Sequence, residues 1–359
     1  GFSKEGFHSG SGDNVTVLLK MPAGAVKEIK PLWPFWSNYG WTFFVAAMLG
    51  GFFYIWNRFG KDDKVVATIS YFPPKDVDPA MAGFLIDDKA DTHDLTAFIP
   101  HWGTKGLIRV EHIPKKGLFS KEDTRLIKTG ELPEGVPLYE REIFEALFSL
   151  GDSILISSLK DRFYMTMTSA KKKLESSAQI YYDPQARKMR NWTMAGIVIF
   201  GLGFAGLFLI TWGLWAALSM IPVAGLLFML SPYLVKKNSK GNVVLSDLKG
   251  FKQFIRVAEE GKLKMLLEED PNYFENTMAY ALAFGLFGQW AKKFAALDIP
   301  PPNWYSSTAG VMSMNSFTNS FSKSIQTAQS NMVSSPSSSS SSGGGSSGGG
   351  FGGGGGGSW

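Results

Sequence analysis

The chain of 359 residues contains no cysteine. That single absence removes disulfides, thiolate zinc centres and thiol nucleophiles, so a zinc finger and a cysteine-based redox enzyme are both excluded. Histidine is scarce, with four residues. His8, His93, His101 and His112 show neither HxxxH nor HExxH spacing, and they read as surface or loop side chains rather than metal ligands. The largest absence is of charge. No Asp, Glu, Lys or Arg occurs between Asn191 and Val235, or between Pro31 and Asn57.

What fills these gaps is apolar and aromatic. A helix rises about 1.5 Å per residue and a single crossing needs about 20 residues, so the longer stretch holds two crossings joined by a turn. Gly213 between Trp212 and Trp215 places that turn near Thr211 to Leu214, giving spans over 191–211 and 214–235. Pro222 falls inside the second, where a bundle tolerates its missing donor and a kink is expected. The earlier stretch holds one further span over 36–56, flanked by Trp33, Trp36 and Tyr39 and by Tyr54 and Trp56.

Basic residues assign the sides. Arg58, Lys61 and Lys64 follow the first span, Lys171 to Lys173 with Arg187, Lys188 and Arg190 precede the hairpin, and Lys236, Lys237 and Lys240 leave it. The positive-inside rule then puts the N-terminus outside and the C-terminus in the cytoplasm of a cell (bacterial inner) membrane, with three spans. Formal net charge is +5. Much of that excess lies beside the spans, where topology and anionic lipid account for it, so the lipid bilayer is the expected partner and nucleic acid the weaker one.

The chain begins at Gly1 without a signal peptide, which reads as a fragment or processed product. Asn14 to Met21 alternates as a strand, so residues 1–30 are read as the last edge of an extracytoplasmic β domain. Residues 61–190 are long enough for a cytoplasmic α+β domain. Within it, Lys64 to Tyr71 alternates as a strand, Asp78-Pro79 caps a helix from Ala80, and a second helix starts at Asp91 before a strand over Leu107 to Ile113. Pro137 to Leu150 reads as an amphipathic helix, followed by a strand at Ser153 to Ile156 and a long helix opened by Ser157. Winged-helix-like units fit this order, and a plain interaction domain fits it better, because no basic recognition helix stands out.

A second cytoplasmic, helical region covers 241–305. Ser246 is expected to cap its first helix, and Gly261 to end or interrupt it. Asn276 to Ala291 is uncharged but short of a span, and reads as a buried or interfacial helix packing on the membrane bundle rather than a fourth crossing. Residues 306–359 lose apolar periodicity and end in Ser and Gly, so they are expected to be disordered, as a spacer or as a tether presenting Trp359.

Candidate chemical motifs resolve into structural ones. Gly201, Gly203 and Gly206 fit GxGxxG, yet lie in mid-span without a preceding strand, so helix packing is the better reading, together with Ala205 and with the pairs Ala46 and Gly50 or Ala47 and Gly51. Asp87, Asp88, Asp91 and Asp94 could hold a cation but lack calcium-loop spacing, and read as a solvated helix start. Asn14-Val15-Thr16 is a sequon by pattern. No catalytic, cofactor-binding or metal residues are assigned.

Tyr71-Phe72-Pro73-Pro74, Asp78-Pro79-Ala80, Gly83-Phe84-Leu85, Gly106-Leu107-Ile108 and Leu147-Phe148 come in one order, followed by Gly250-Phe251-Lys252, Phe274-Glu275, Tyr280-Ala281-Leu282-Ala283, Trp290 and Pro301-Pro302-Asn303-Trp304-Tyr305. In this order the chain, from about Asn14 to Trp359, resembles the YciQ-like predicted membrane proteins, domain-of-unknown-function family 2207. The resemblance implies a signal peptide, an extracytoplasmic β-rich domain, a span, a cytoplasmic domain, a hairpin and a Gly/Ser-rich tail, and implies no activity. Pro100-His101-Trp102 departs from the pattern and is expected to shorten or kink its helix, and Thr277-Met278-Ala279 departs where the family has Leu-Pro.

The expectation is therefore an uncharacterised, non-enzymatic integral membrane protein that anchors or couples an outer domain to cytoplasmic interaction domains and binds other proteins through them. A membrane-tethered nucleic-acid regulator is the alternative. A transporter component is weaker still, because no ionisable residue lies inside a span.

Overall fold

The computed structural model describes residues 34–61, 63, 65–115 and 122–336. The expected β-domain edge with its strand at 14–21, its sequon and His8 lies outside the described residues, as does the tail from residue 337 on. In chain order the helices are α1 (Pro34–Tyr39), α2 (Trp41–Ile55), α3 (Pro79–Asp87), α4 (Thr92–Thr96), α5 (Phe98–Thr104), α6 (Leu138–Leu147) and α7 (Tyr164–Ser177), then α8 (Pro184–Thr211), α9 (Leu214–Leu230), α10 (Ser239–Val257), α11 (Glu260–Glu269), α12 (Tyr273–Ala283), α13 (Phe287–Ala295) and α14 (Met314–Val333). The strands are β1 (Ile108–Ile113), β2 (Asp123–Lys128), β3 (Ser153–Leu155) and β4 (Tyr305–Ser307). The chain divides into a smaller unit, residues 1–58 with 189–234, and a larger one, residues 59–188 with 235–359.

In the smaller unit, two helices are long and apolar enough to cross a membrane, Pro184–Thr211 and Leu214–Leu234. They meet at Gly213, whose φ of +85° sits in the region that glycine adopts freely and side chains resist, so the turn falls where its sequence placed it. Gly40 between α1 and α2 has helical dihedrals, and a π-helical turn over Trp56–Gly60 continues α2, so the earlier charge-free stretch is close to continuously helical from Pro34 on. Phe44 packs on Phe204, Phe208 and Trp212, and Trp212 Nε1 donates to the Trp36 carbonyl at 2.9 Å. Gly201 lies against Ala224, as expected of a packing glycine. The expected approach at Gly50 and Gly51 is not made. Nothing comes within 4 Å of a Cβ placed at either, and an open groove of about 440 Å³ lies there, between walls that include Ala47, Gly51, Thr193 and Gly196.

The larger unit is built around one mixed sheet of order β3-β2-β1-β4. β1 and β2 pair antiparallel with Ile108 opposite Lys128, β2 and β3 antiparallel, and β1 and β4 parallel with Val110 opposite Tyr305. Ile108, Val110, Thr124 and Leu126 alternate inward. The strands thus form one sheet rather than wings on two helical units. The two expected regions, 61–190 and 241–305, also share one core: Phe98, Trp102, Tyr139 and Phe144 from the first belong to the same buried cluster as Phe251, Tyr273, Phe274, Trp290 and Phe294 from the second. Each such side chain contributes about 1.5–3 kcal/mol when buried, so neither half keeps its core alone.

Several local readings change for identifiable reasons. Residues 65–71 form no strand. They lie along α10, where Thr68 N donates to the Ser246 carbonyl and the Ser246 hydroxyl to the Val66 carbonyl at 2.6 Å. Ser246 is therefore mid-helix, and the cap of α10 is Asn238, whose side chain accepts from Gly241 N at 2.9 Å. Gly261 lies inside α11, and the break between α10 and α11 falls at Ala258 and Glu259. Ser157 belongs to a short 3-10 turn over Ile156–Leu159, and the long helix starts only at Tyr164. The expected helix over 276–291 is two helices, α12 and α13, broken at Gly285 with φ +71°, and it is buried in the larger unit's own core. The helix from Asp91 divides at Ala97 into α4 and α5, three residues before Pro100.

The largest correction concerns residues 306–336. They are ordered: β4 joins the sheet, and α14 buries Phe317, Phe321, Ile325, Ala328 and Met332 along one face. Phe317 and Phe321 stack at 5.3 Å and both meet the Tyr305 ring. Their spacing of three and four residues is helical periodicity, diluted by the surrounding Ser, Asn, Thr and Gln.

Candidate functional site

Polar side chains of the larger unit mark both ends of α3. Asp78 starts α3 as expected, its Oδ1 accepting from Ala80 N and Met81 N at 3.0 Å each, and its Oδ2 accepts from the Tyr139 hydroxyl at 2.5 Å. Burial raises the Asp78 carboxyl above the usual carboxylate range, and those three donors pull it back. These are structural roles. The same holds for Glu140, which accepts from Trp102 Nε1 at 2.9 Å, and for Glu275, which accepts from Trp304 Nε1 at 2.8 Å.

At its C-terminus α3 stops because Asp88 adopts a left-handed conformation, φ +62°, with its N–H still bonded to the Phe84 carbonyl at 2.8 Å. The carboxylate of Asp88 accepts from Lys237 Nζ at 2.5 Å and from the Tyr182 hydroxyl. Lys237, 3% exposed, also lies over the Tyr182 ring at 5.2 Å. Tyr182 and Lys237 form an isolated antiparallel bridge, and Asp183 N donates to the Lys236 carbonyl at 3.0 Å. The chain segments that precede α8 and follow α9 are thus clipped together, and Asp88 holds the clip. Nothing in the local sequence pairs residue 88 with residue 237; the fold does.

Three residues further on, Asp91 and Asp94 form a capping box for α4, with Asp91 N donating to Asp94 Oδ2 at 2.8 Å. The helix-start reading of these acids holds for this pair. Yet a carboxylate oxygen of Asp87, one of Asp91 and a ring nitrogen of His93 also lie within 4.8 Å of one another. Burial, with Asp87 and Asp91 nearby, raises the Asp94 carboxyl to about 8 against the backbone bond from Asp91 and the charge of Lys171. Lys171 Nζ donates to Thr92 Oγ1 at 2.9 Å at the same helix end. Among the described residues, Asp87, Asp91 and His93 form a group whose chemistry suits a metal ion.

The other described histidines depart from the surface reading. His112 points inward from β1 and is 7% exposed, with Nδ1 lacking a hydrogen-bond partner. His101 lies within α5 against Phe98, where burial lowers its pKa to about 3. Sequence spacing does not mark His93 as a cluster member, because the cluster spans the end of one helix and the start of the next, a turn that no HxxxH pattern describes.

No curated protein and no solved structure matches the chain. Residues 68–294 match the family described as "Predicted membrane protein (DUF2207) C-terminal domain", a match that begins in the segment along α10, covers both candidate spans and ends in α13, and the chain belongs to that family.

Proposed function

We propose that this protein is a non-enzymatic membrane-anchored coupling protein. Its larger unit is cytoplasmic and engages other proteins, and α1 and α2 together form a third crossing that leads outward. The observation that carries this reading is the clip at Asp88, Tyr182 and Lys237. It ties the two strands of chain serving the hairpin to the end of a core helix, so a displacement of either strand is felt by α3. The use of Asp78, Glu140 and Glu275 as caps and as indole partners supports a structural rather than a catalytic role for the larger unit's buried acids. The clusters at Arg58 and Lys61, at Arg187 to Arg190 and at Lys236 to Lys240 support the inward side for the larger unit.

Reporter fusions test the topology, with junctions at open positions: Gly135 and Gly310 are expected to report cytoplasm and Gly213 the opposite side. Cross-linking in intact membranes followed by purification tests the coupling. A partner recovered reproducibly with the intact chain and reduced in Asp88→Ala is the expected result, and the absence of any reproducible partner sinks the proposal. Duplex DNA binding is measured on the full chain, because residues 61–190 share their core with later segments.

A further inference from the structure

Around Asp87, Asp91 and His93 the geometry holds more than surface acidity. The three ligand atoms lie within 4.8 Å of one another, contributed by the last residue of α3, the residue before α4 and the second residue of α4. Ligands bound to one ion at about 2.0–2.2 Å stand roughly 3–3.6 Å apart in a tetrahedron, a contraction that rotation of the exposed Asp87 side chain supplies.

A second observation is independent of that triangle. Asp94 is 1% exposed, and its Oδ1 has no hydrogen-bond partner. That oxygen lies 3.5 Å from His93 Nε2. A buried carboxyl oxygen without a partner is costly, and the His93 Nε2 is the ring nitrogen placed to engage it. With Nε2 so engaged, the lone pair of the imidazole is on Nδ1. A carboxylate that takes one ring N–H while the other ring nitrogen binds a metal is the usual way a ligating histidine is oriented.

The charges facing the cluster leave room for a cation. Lys237 is engaged with Asp88 and Lys171 with Thr92, while the Lys252 ammonium lies over the Phe284 ring at 5.6 Å with its charge reaching Asp87, so that the cluster's two carboxylates face one nearby cation not held in an ion pair. We propose that Asp87, Asp91 and His93 bind one divalent first-row transition ion, of the Zn²⁺ or Mn²⁺ class, with Asp94 as the residue that positions His93. Two carboxylates with one imidazole suit such ions, whereas calcium prefers a fuller set of oxygen ligands. Water completes the coordination. The inference does not depend on the coupling role above.

The test uses the untagged full chain in detergent, stripped with chelator and titrated with Mn²⁺ under electron paramagnetic resonance, and with Zn²⁺ by calorimetry. One ion per chain is expected, with modulation from a directly bound imidazole nitrogen. His93→Gln abolishes that modulation and weakens binding at least tenfold. Asp91→Asn, which keeps an N-cap side chain, weakens it similarly, and Asp94→Asn does so by about tenfold through His93. His112→Gln and Asp123→Asn leave binding unchanged. Because Asp87 is exposed and outside the capping box, Asp87→Asn reads ligand loss in a chain whose chelated melting temperature matches the parent. No stoichiometric binding, binding without nitrogen modulation, or binding that survives the triple variant Asp87→Asn, Asp91→Asn, His93→Gln would overturn the proposal.

Discussion

The two units use the same apolar side chains in opposite ways. In the larger unit Phe98, Phe251, Phe274, Phe294 and Phe317 are buried inside one core. In the smaller unit Phe53, Ile199 and Ile210 are 62–86% exposed, and of the apolar windows of its two long helices only 17% and 22% is buried. Water cannot be the solvent for both surfaces. The larger unit is organised by expelling water from its interior, while a hydrocarbon surrounding removes that drive between helices and leaves packing and aromatic contacts to hold them. Close fit is therefore obligatory in one unit and optional in the other. Gly103 of α5 is pressed against Trp304, whereas Gly51 of α2 opens on a groove.

The largest expected effect breaks the denser side of this comparison. Phe317→Ala removes a fully buried ring from α14 and should cost about 3–5 kcal/mol, read as a loss of resistance to pulse proteolysis in detergent. If α14 were a tail, the loss would be near zero. Next comes Gly103→Ala. A Cβ there would lie 2.4 Å from the Trp304 ring, so overpacking of about 1–3 kcal/mol and a lower melting temperature are expected.

A smaller effect is set by pH. His101 is held neutral by burial, with a pKa of about 3 in the folded chain against an ordinary value of 6.5. A depressed folded pKa gives stability that is present above the unfolded value and lost as pH falls towards the folded one. Acidification from pH 7 to pH 5 should therefore cost the parent about 2 kcal/mol more than it costs His101→Leu, measured by denaturant unfolding at both pH values. Equal losses in the two chains would show that His101 is open to solvent. The smallest change falls in the looser unit. Gly51→Ala should alter stability by no more than about 1 kcal/mol, in the stabilising direction, since the added methyl meets nothing and helix propensity improves. A destabilisation as large as that of Gly103→Ala would erase the contrast between the units.

The local chemistry of several elements is legible in the sequence. Asp78 before Pro79, Asp91 before Thr92 and Gly213 between two apolar helices each act within a turn of their own position, and the structure places them accordingly. The strand over residues 107–113 is legible for the same reason, an alternation set by its own side chains. Residues 65–71 alternate just as well, yet they lie on α10 because Ser246, 180 positions after Val66, supplies their partners. α14 is hidden because its few apolar residues are spread among Ser, Thr, Asn and Gln, and their meaning emerges only against the waiting surface of Trp304, Tyr305 and Phe287.

The candidate site divides along the same line. Four acids near residue 90 are visible in the sequence, and their number alone says nothing beyond a solvated helix start. The turn from α3 into α4 separates them into roles: Asp88 goes to Lys237, Asp94 is buried behind His93, and Asp87 and Asp91 face the same imidazole.

By itself the sequence determined the medium and the boundaries of local structure: charge-free stretches long enough for two candidate spans, caps, and glycines at turns, all of which depend on residues adjacent in the chain. The tertiary structure alone decided that residues 59–188 and 235–336 share one core, that β4 completes the sheet from the far end of the chain, and that carboxylates and an imidazole converge beside the clip. The physical reason is range. Capping and hydropathy act over a few residues, whereas burial and charge pairing are settled by whichever surfaces the folded chain brings together.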